Sequence, residues 1–403
     1  MPAAAPTEAT KKAAKVDVPR LLNKWQLIAV TACVLFAVVT AALQLLGWQA
    51  NRAAADNTEQ LVRVQNIQST LFRADALATT SFLVGGLEDP AQRAAYDNAI
   101  DRVTRQITEA AQAQPADSAV LSALNAAVNR YTTASTQARD NNRQGFPVGA
   151  EYLRGASNQL RADALPLIEA LTESNSDRAE TELSGQRPLT ILIIGLVALA
   201  VLWWVSTQLA KTFRRRFNVG IAAAFVVVAA LTLISAAVSS GREGDNDDLR
   251  DGSYRLAVDE ATARTAANDA KSNESRRLGA QGSGAVFEEG WQAAASTVTS
   301  TASSNTLGLW QTYSALHDEV LALEQSGKYD EAVALATTLD PNGPTAAPDA
   351  FDEGSQIVID RAASDTTDAL RSGNSIFPGA GRADAASRAR RRRPRHPGHR
   401  PAP

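Results

Sequence analysis

The 403 residues include one cysteine, Cys33, one methionine and three histidines. A lone cysteine excludes an intramolecular disulfide, so no domain here is stapled. Two of the histidines, His396 and His399, lie in an arginine-rich end, which leaves His317 alone, and metal-ligand spacing is missing. His317 follows the helical stripe Leu309, Tyr313, Leu316, Val320 and Leu323, so it reads as a surface or partly buried helix residue rather than a base. Gln281 to Gly284 (QGSG) has no preceding strand and no following Gly-Lys-Ser/Thr, which excludes a phosphate loop and leaves a helical turn. Asp245, Asp247, Asp248 and Asp251 do not fill the glycine and glutamate positions of a calcium loop and read as a solvated acidic helix start. With no catalytic constellation, no metal site and no cofactor motif, the expectation is a protein that is not an enzyme.

Charge is missing altogether from three long stretches, residues 25–47, 189–207 and 219–238. Uncharged runs near 20 residues match the ~30 Å hydrocarbon core of a bilayer, whereas buried helices of soluble domains usually keep a polar face. All three are read as transmembrane helices. A secretory signal peptide is the rival for residues 25–47, but its apolar core runs only ~7 to 15 residues before a small-x-small site. Leu45-Leu46-Gly47-Trp48 is a poor site, and Trp25 and Trp48 stand where interfacial aromatics anchor a span.

The overall formal charge of −3 hides a strong sorting. Residues 1–24 hold 5 basic and 2 acidic side chains, and the link 208–218 holds 4 and 0, namely Lys211, Arg214, Arg215 and Arg216. Residues 48–188 hold 13 and 17, residues 239–375 hold 10 and 23, and residues 376–403 hold 8 and 1. Short basic segments stay in the cytoplasm. The expected layout is therefore a disordered cytoplasmic tail (1–24), a span (25–47), an extracytoplasmic helical bundle (48–188), a span (189–207), the cytoplasmic basic link (208–218), a span (219–238), a second extracytoplasmic bundle (239–375) and a disordered Arg/Pro-rich tail (376–403).

The first bundle is helical by period. Leu61, Val64, Gln68, Leu71, Asp75, Ala78 and Phe82 step by three and four through a first helix that continues from the first span and ends at Gly85-Gly86. Asp89 caps a second helix with Pro90 in its first turn and the stripe Tyr96, Ile100, Val103, Ile107 and Ala110. A third starts at Asp117 or Ser118 and buries Leu121, Leu124, Val128, Tyr131, Ser135 and Ala138 before NNRQGFP. A fourth runs from about Val148 through Leu153, Leu160, Leu167 and Leu171, with Pro166 expected to kink it. Four stripes with short turns give an up-down-up-down bundle. Gln68 and Asp75 sit on its seam, where polar residues set register rather than line a ligand cleft. Trp291 and Trp310 read as core aromatics.

Residues 239–375 repeat the plan. The stretch around Gly145 and Phe146 aligns with that around Gly327 and Tyr329, Leu153 with Leu335, Pro166 with Pro348, Asp177-Arg178-Ala179 one residue off Asp360-Arg361-Ala362, and Asp75-Ala76 with Asp269-Ala270. The expected fold is thus an all-α integral membrane protein with three transmembrane helices and two tandem sensor-type bundles. The repeat calls for a fourth span near Leu370, where the chain turns instead to an aperiodic Arg, Pro, Ala and Gly run. That composition fits a GC-rich gene read out of frame, and the tail is expected to be disordered from about Ser372 rather than a nucleic-acid arm.

Anchored bundles of this kind resemble the four-helix sensor modules of bacterial chemoreceptors and histidine kinases. The doubled plan and runs such as VPRLLNKWQLIAV and RRRFNVGIAAA are more specifically similar to the GlnX-type membrane proteins of actinobacteria, over roughly residues 15 to 375. That resemblance implies a signal carrier between an outer solute-binding lipoprotein that detects acidic amino acids and a cytoplasmic Ser/Thr kinase. No site residue transfers with it, and the family would end in a fourth span, where this sequence departs.

The functional expectation is a non-enzymatic transmembrane signal transducer relaying a nutrient signal, with Lys211, Arg214, Arg215 and Arg216 as the cytoplasmic partner contact. The other reading is a structural or accessory membrane protein of a transporter or the cell envelope. A channel is disfavoured because the spans hold no ionisable residue to mark a pathway. Nucleic acid is not expected as a partner, and the sequence sets no oligomeric state.

Overall fold

The apolar runs and the period-3.6 stripes both become α-helix, and the described residues hold no strand. The structure, a computed structural model, describes residues 18–83, 89–144, 148–213, 218–280 and 282–372. Gly85-Gly86, Gly145 to Pro147, Arg214 to Arg216, Gln281 and the tail after Ser372 lie outside the described residues. Among the described residues the α-helices are, in order, α1 (Val18–Leu83), α2 (Pro90–Ala113), α3 (Ser118–Arg143), α4 (Val148–Leu183), α5 (Pro188–Phe213), α6 (Val219–Leu249), α7 (Arg255–Gly279), α8 (Ala285–Thr301), α9 (Leu307–Gln325), α10 (Tyr329–Ala336) and α11 (Ala346–Ser372). A 3₁₀ turn, Pro115–Asp117, precedes α3, and a π turn, Arg250–Tyr254, joins α6 to α7.

These helices form two compact units, one drawn from Met1–Trp48 with Gln186–Arg242 and the other from Gln49–Gly185 with Glu243–Pro403. The first holds the apolar parts of α1, α5 and α6, three helices long and apolar enough to cross a membrane. Phe36, Ala198, Leu202 and Val228 form its small core, while Val34, Leu35, Ile193, Leu196, Val226 and Leu233 point outward, as lipid-facing residues must. Gly195 of α5 lies against the Thr232 side chain of α6 so closely that a Cβ would collide with it. Small residues let helix backbones approach where no hydrophobic drive is available. Trp25 and Trp204 meet edge to face at 5.0 Å, and Gln44 donates to the Ser235 carbonyl at 3.1 Å.

In the second unit the first four helices share one core. Leu71, Val103, Leu124, Tyr131 and Leu160 are buried in it together, as the stripes read from the sequence require, whereas Ile100 and Leu167 are half-buried and Ile168 takes the buried position on α4. Asp89 caps α2 by accepting from the backbone N–H groups of Ala91 (2.7 Å) and Gln92 (3.3 Å), with Pro90 at the first helical position. α4 runs through Pro166 without a break. Gln68 is a correction: it is half-buried at a shallow cleft of about 430 Å³ with Glu169, Thr172, Glu173, Ser176 and Asp177, off the seam that buries Val64, Ile67, Leu71 and Asp75.

The helices after the π turn build a second core from α7, α8, α9 and α11, around Trp291, Trp310, Tyr313 and Phe351. Trp291 and Trp310 are core residues, 5.9 Å apart and stacked. Several expectations fail here. The buried stripe of α9 is Trp310, Tyr313, His317 and Val320, whereas Leu309, Leu316 and Leu323 are half-buried. The large aromatics and the ionic partners of His317 fix the phase, and His317 is 1% exposed rather than at the surface. Asp245, Asp247 and Asp248 lie within α6 and Asp251 in the π turn, so they start no helix. The fourth leg is also split. Gly327, at φ 80, closes α9 and α10 is short, so Pro348 lies at the start of α11 where Pro166 lies inside α4.

Candidate functional site

The site read from the sequence, the basic link, is only partly described. Lys211 is exposed in the last turn of α5, and Arg214, Arg215 and Arg216 lie outside the described residues. Among the described residues no group of histidine, cysteine and carboxylate side chains is placed to hold a metal ion.

The polar chemistry of the molecule collects instead on α7 and the helices packed on it. From Glu260 to Ser275 this helix is Ala, Thr, Arg, Asn, Asp, Lys, Ser and Glu with no large apolar side chain, yet most of it is buried. Burying polar groups is tolerated only when each finds a partner. The partners come in two sets.

One set joins α7 to α1. Asn66 accepts from Arg264 at 2.8 Å, Ser69 from Asn268 at 3.0 Å, Asp75 from Ser272 at 2.7 Å, and Thr80 and Ser275 bond at 2.9 Å. Asp75 is fully buried and also accepts from Ser157 of α4 and from Tyr131 of α3 (3.3 Å), so one carboxylate ties together three helices of the first core and α7. Burial and the Asp75 charge push the Tyr131 hydroxyl well above its ordinary pKa, which keeps it a proton donor.

The other set centres on the second core and is joined by Arg73 of α1. Arg264 forms a two-pronged pair with Asp352 of α11 at 2.8 and 2.9 Å, and Asn268 (2.7 Å) and Arg73 (3.3 Å) also donate to that carboxylate. Burial alone would raise the Asp352 pKa, but Arg264 and Arg73 outweigh it and hold the group below the ordinary carboxylate range. Deeper in, Glu274 accepts from Lys271 (2.6 Å) and Tyr313 (3.2 Å) and sits 2.7 Å from His317 Nδ1. The other imidazole nitrogen is 3.4 Å from Glu288, and the ring stacks on Trp291 at 3.8 Å. Glu288 and Glu324 in turn hold Arg277, at 3.1 and 2.7 Å.

Sequence reasoning placed Asp75 on a seam and missed the rest. Residues 260–275 offered little sign, because Glu260, Arg264, Lys271 and Glu274 recur at helical spacing on one face and in sequence read as a solvated charged face; their burial follows only from partners distant in the chain. The arrangement holds structure and couples helices to one another.

No curated protein and no solved structure matches the chain. Residues 49–184, which run from the second part of α1 through α4 and so comprise the first bundle, match the family described as the actinobacterial sensor domain.

Proposed function

We propose that the protein is a non-enzymatic transmembrane signal transducer whose two bundles lie outside the cell and whose basic link faces the cytoplasm. The observation that carries this reading is the sensor-domain match over residues 49–184 together with α1, a single helix from Val18 to Leu83 that includes both an apolar span and a bundle leg. A shift or rotation imposed on such a leg passes along the helix axis without an intervening loop. The proposed signal is an amino acid presented by a solute-binding lipoprotein outside, and the proposed receiver is a Ser/Thr kinase inside, in the manner of the GlnX-type proteins.

The bundles are proposed to descend from one duplicated unit. Supporting this, Tyr131 donates to Asp75 in the first core and Tyr313 to Glu274 in the second, both fully buried. The two tyrosines stand at the spacing that also relates Leu153 to Leu335. On this reading the counterpart of Asp75 is Glu274 rather than the half-exposed Asp269.

Lys211, Arg214, Arg215 and Arg216 form the proposed kinase contact, while each basic charge also holds ~1 kcal/mol of attraction to an anionic leaflet. Co-purification from native membranes tests the reading. A Ser/Thr kinase is expected with the wild type and is expected to be lost when Arg214 to Arg216 become Gln. A correctly inserted variant that recovers its kinase at full yield sinks the contact, and recovery of a permease or envelope proteins alone favours the accessory role.

A further inference from the structure

On α4, Arg154, Asn158 and Arg161 follow at spacings of four and three and so share one face, and on α7 Asp269, Ser272 and Arg276 do the same. The two faces meet. Arg161 reaches across to Asp269 (2.7 Å) and Ser272 (3.0 Å), and Arg276 reaches back to Asn158 (2.6 Å). Each guanidinium lies over an aromatic ring, Arg161 at 4.8 Å from Phe72 and Arg276 at 4.4 Å from Phe287. The planes are thereby fixed.

The donors are not used up. A guanidinium has five N–H groups and accepts nothing. The Nε of Arg161 and the Nε of Arg276 are both buried and both lack an acceptor. Nor are the charges evenly matched. Arg161 has Asp269, with Asp75 at 3.9 Å, but Asp75 already accepts from three hydroxyls. Arg276 bonds a neutral amide and, among the described residues, forms no ion pair. Burial, and then the positive charges of Arg161 and Arg154, press its pKa below the ordinary arginine value, with Asp75 and Asp269 offsetting part of this.

We propose that this pair of arginines, with Arg154 two turns before Arg161 on the same face of α4 and itself paired with Glu151 at 2.8 Å, is a binding site for a small oxyanion of the carboxylate or phosphate class. Fixed guanidinium planes match the two-oxygen edge of such an anion. Arg161 and Arg276 are half-buried, so the ligand is partly desolvated, and it bridges α4 of the first bundle to α7 of the second. Any effect of that bridge on signalling rests on the sensor reading above, whereas the binding itself does not.

The test uses the full chain in nanodiscs of zwitterionic phosphatidylcholine, titrated calorimetrically with succinate and separately with inorganic phosphate at constant ionic strength. Saturable one-site binding of at least one anion is expected, and which one binds separates carboxylate from phosphate. Arg276→Gln is expected to weaken it at least tenfold and Arg154→Gln several-fold, with Arg93→Gln on α2 within twofold of wild type. Arg276→Lys keeps the charge, loses the fork and is expected to bind several-fold more weakly, which covers a poorly folded Gln variant. Absence of saturable heat with both anions, or wild-type affinity in a folded Arg276 variant, overturns the site. Binding that leaves kinase recovery unchanged overturns only its link to signalling.

Discussion

Replacing Glu274 with Gln removes one charge from the centre of the second core without changing its volume. Glu274 and Lys271 are both buried, and apart from the carboxylate Lys271 donates to the Ala336 carbonyl at 3.4 Å and lies 5.8 Å from the Tyr313 ring centre, so no second carboxylate compensates it at hydrogen-bond distance among the described residues. Removing one member of a buried ion pair typically costs about 3–5 kcal/mol because the other is left uncompensated. The pKa supplies a second route to the magnitude. Burial would raise it, but Lys271 and His317 prevail and hold it at about 2 against an ordinary 4.5. A displacement of that size corresponds to roughly 3 kcal/mol at 1.36 kcal/mol per unit. The melting temperature is then expected to fall by roughly 6–12 °C, taking about 2–4 °C per kcal/mol for a domain of this size. The pH dependence has a defined sign. Because the folded-state pKa is depressed, the stabilisation is complete above the ordinary value and is lost as pH falls from 4.5 toward about 2. Thermal melts from pH 6 to pH 2 should show wild type losing stability on that limb and E274Q losing less. The double variant E274Q/K271M removes both charges and should recover much of the loss. An E274Q protein that melts within about 1 °C of wild type at neutral pH, with an unchanged acid limb, refutes the reasoning.

Two further outcomes are expected. Gly195→Val drives a branched side chain into Thr232, so the packing of α5 on α6 should weaken, seen as a lower melting temperature in micelles, with wild-type stability counting against the close approach. Thr136→Cys, at an exposed position of α3, should label with an impermeant maleimide in intact cells on a Cys33→Ser background, and labelling only after permeabilisation would reverse the proposed topology.

The spans, the first four-helix core and the Asp89 cap were legible because each is set by local chemistry: absence of charge, apolar residues at steps of three and four, and an acceptor beside Pro90. Residues 260–275 resisted because their burial comes from partners far away in sequence, Asn66 and Ser69 on one side and Asp352 and Ser355 on the other. His317 misled for the same reason. A lone histidine beside a leucine stripe gives no hint of Glu274, 43 residues earlier, and the phase of α9 turns on that pairing and on Trp291. The split of α10 from α11 depends on the turn between them, 337–345, where proline, glycine and asparagine mark a break but leave the direction of the next helix open.

The α1–α7 contacts rise together along both helices: 66 with 264, 69 with 268, 75 with 272 and 80 with 275. Two parallel helices meeting level by level is the geometry of a symmetric dimer, in which each contact must occur twice and each surface must complement itself. Here both helices belong to one chain. Their association is therefore independent of protein concentration, and neither surface has to be its own complement. Asn66 meets an arginine and Asp75 meets a serine, pairings that a two-fold copy would be forced to repeat in reverse. One side of the seam is thus free to change while the other stays fixed, an asymmetry closed to a two-fold pair of identical helices.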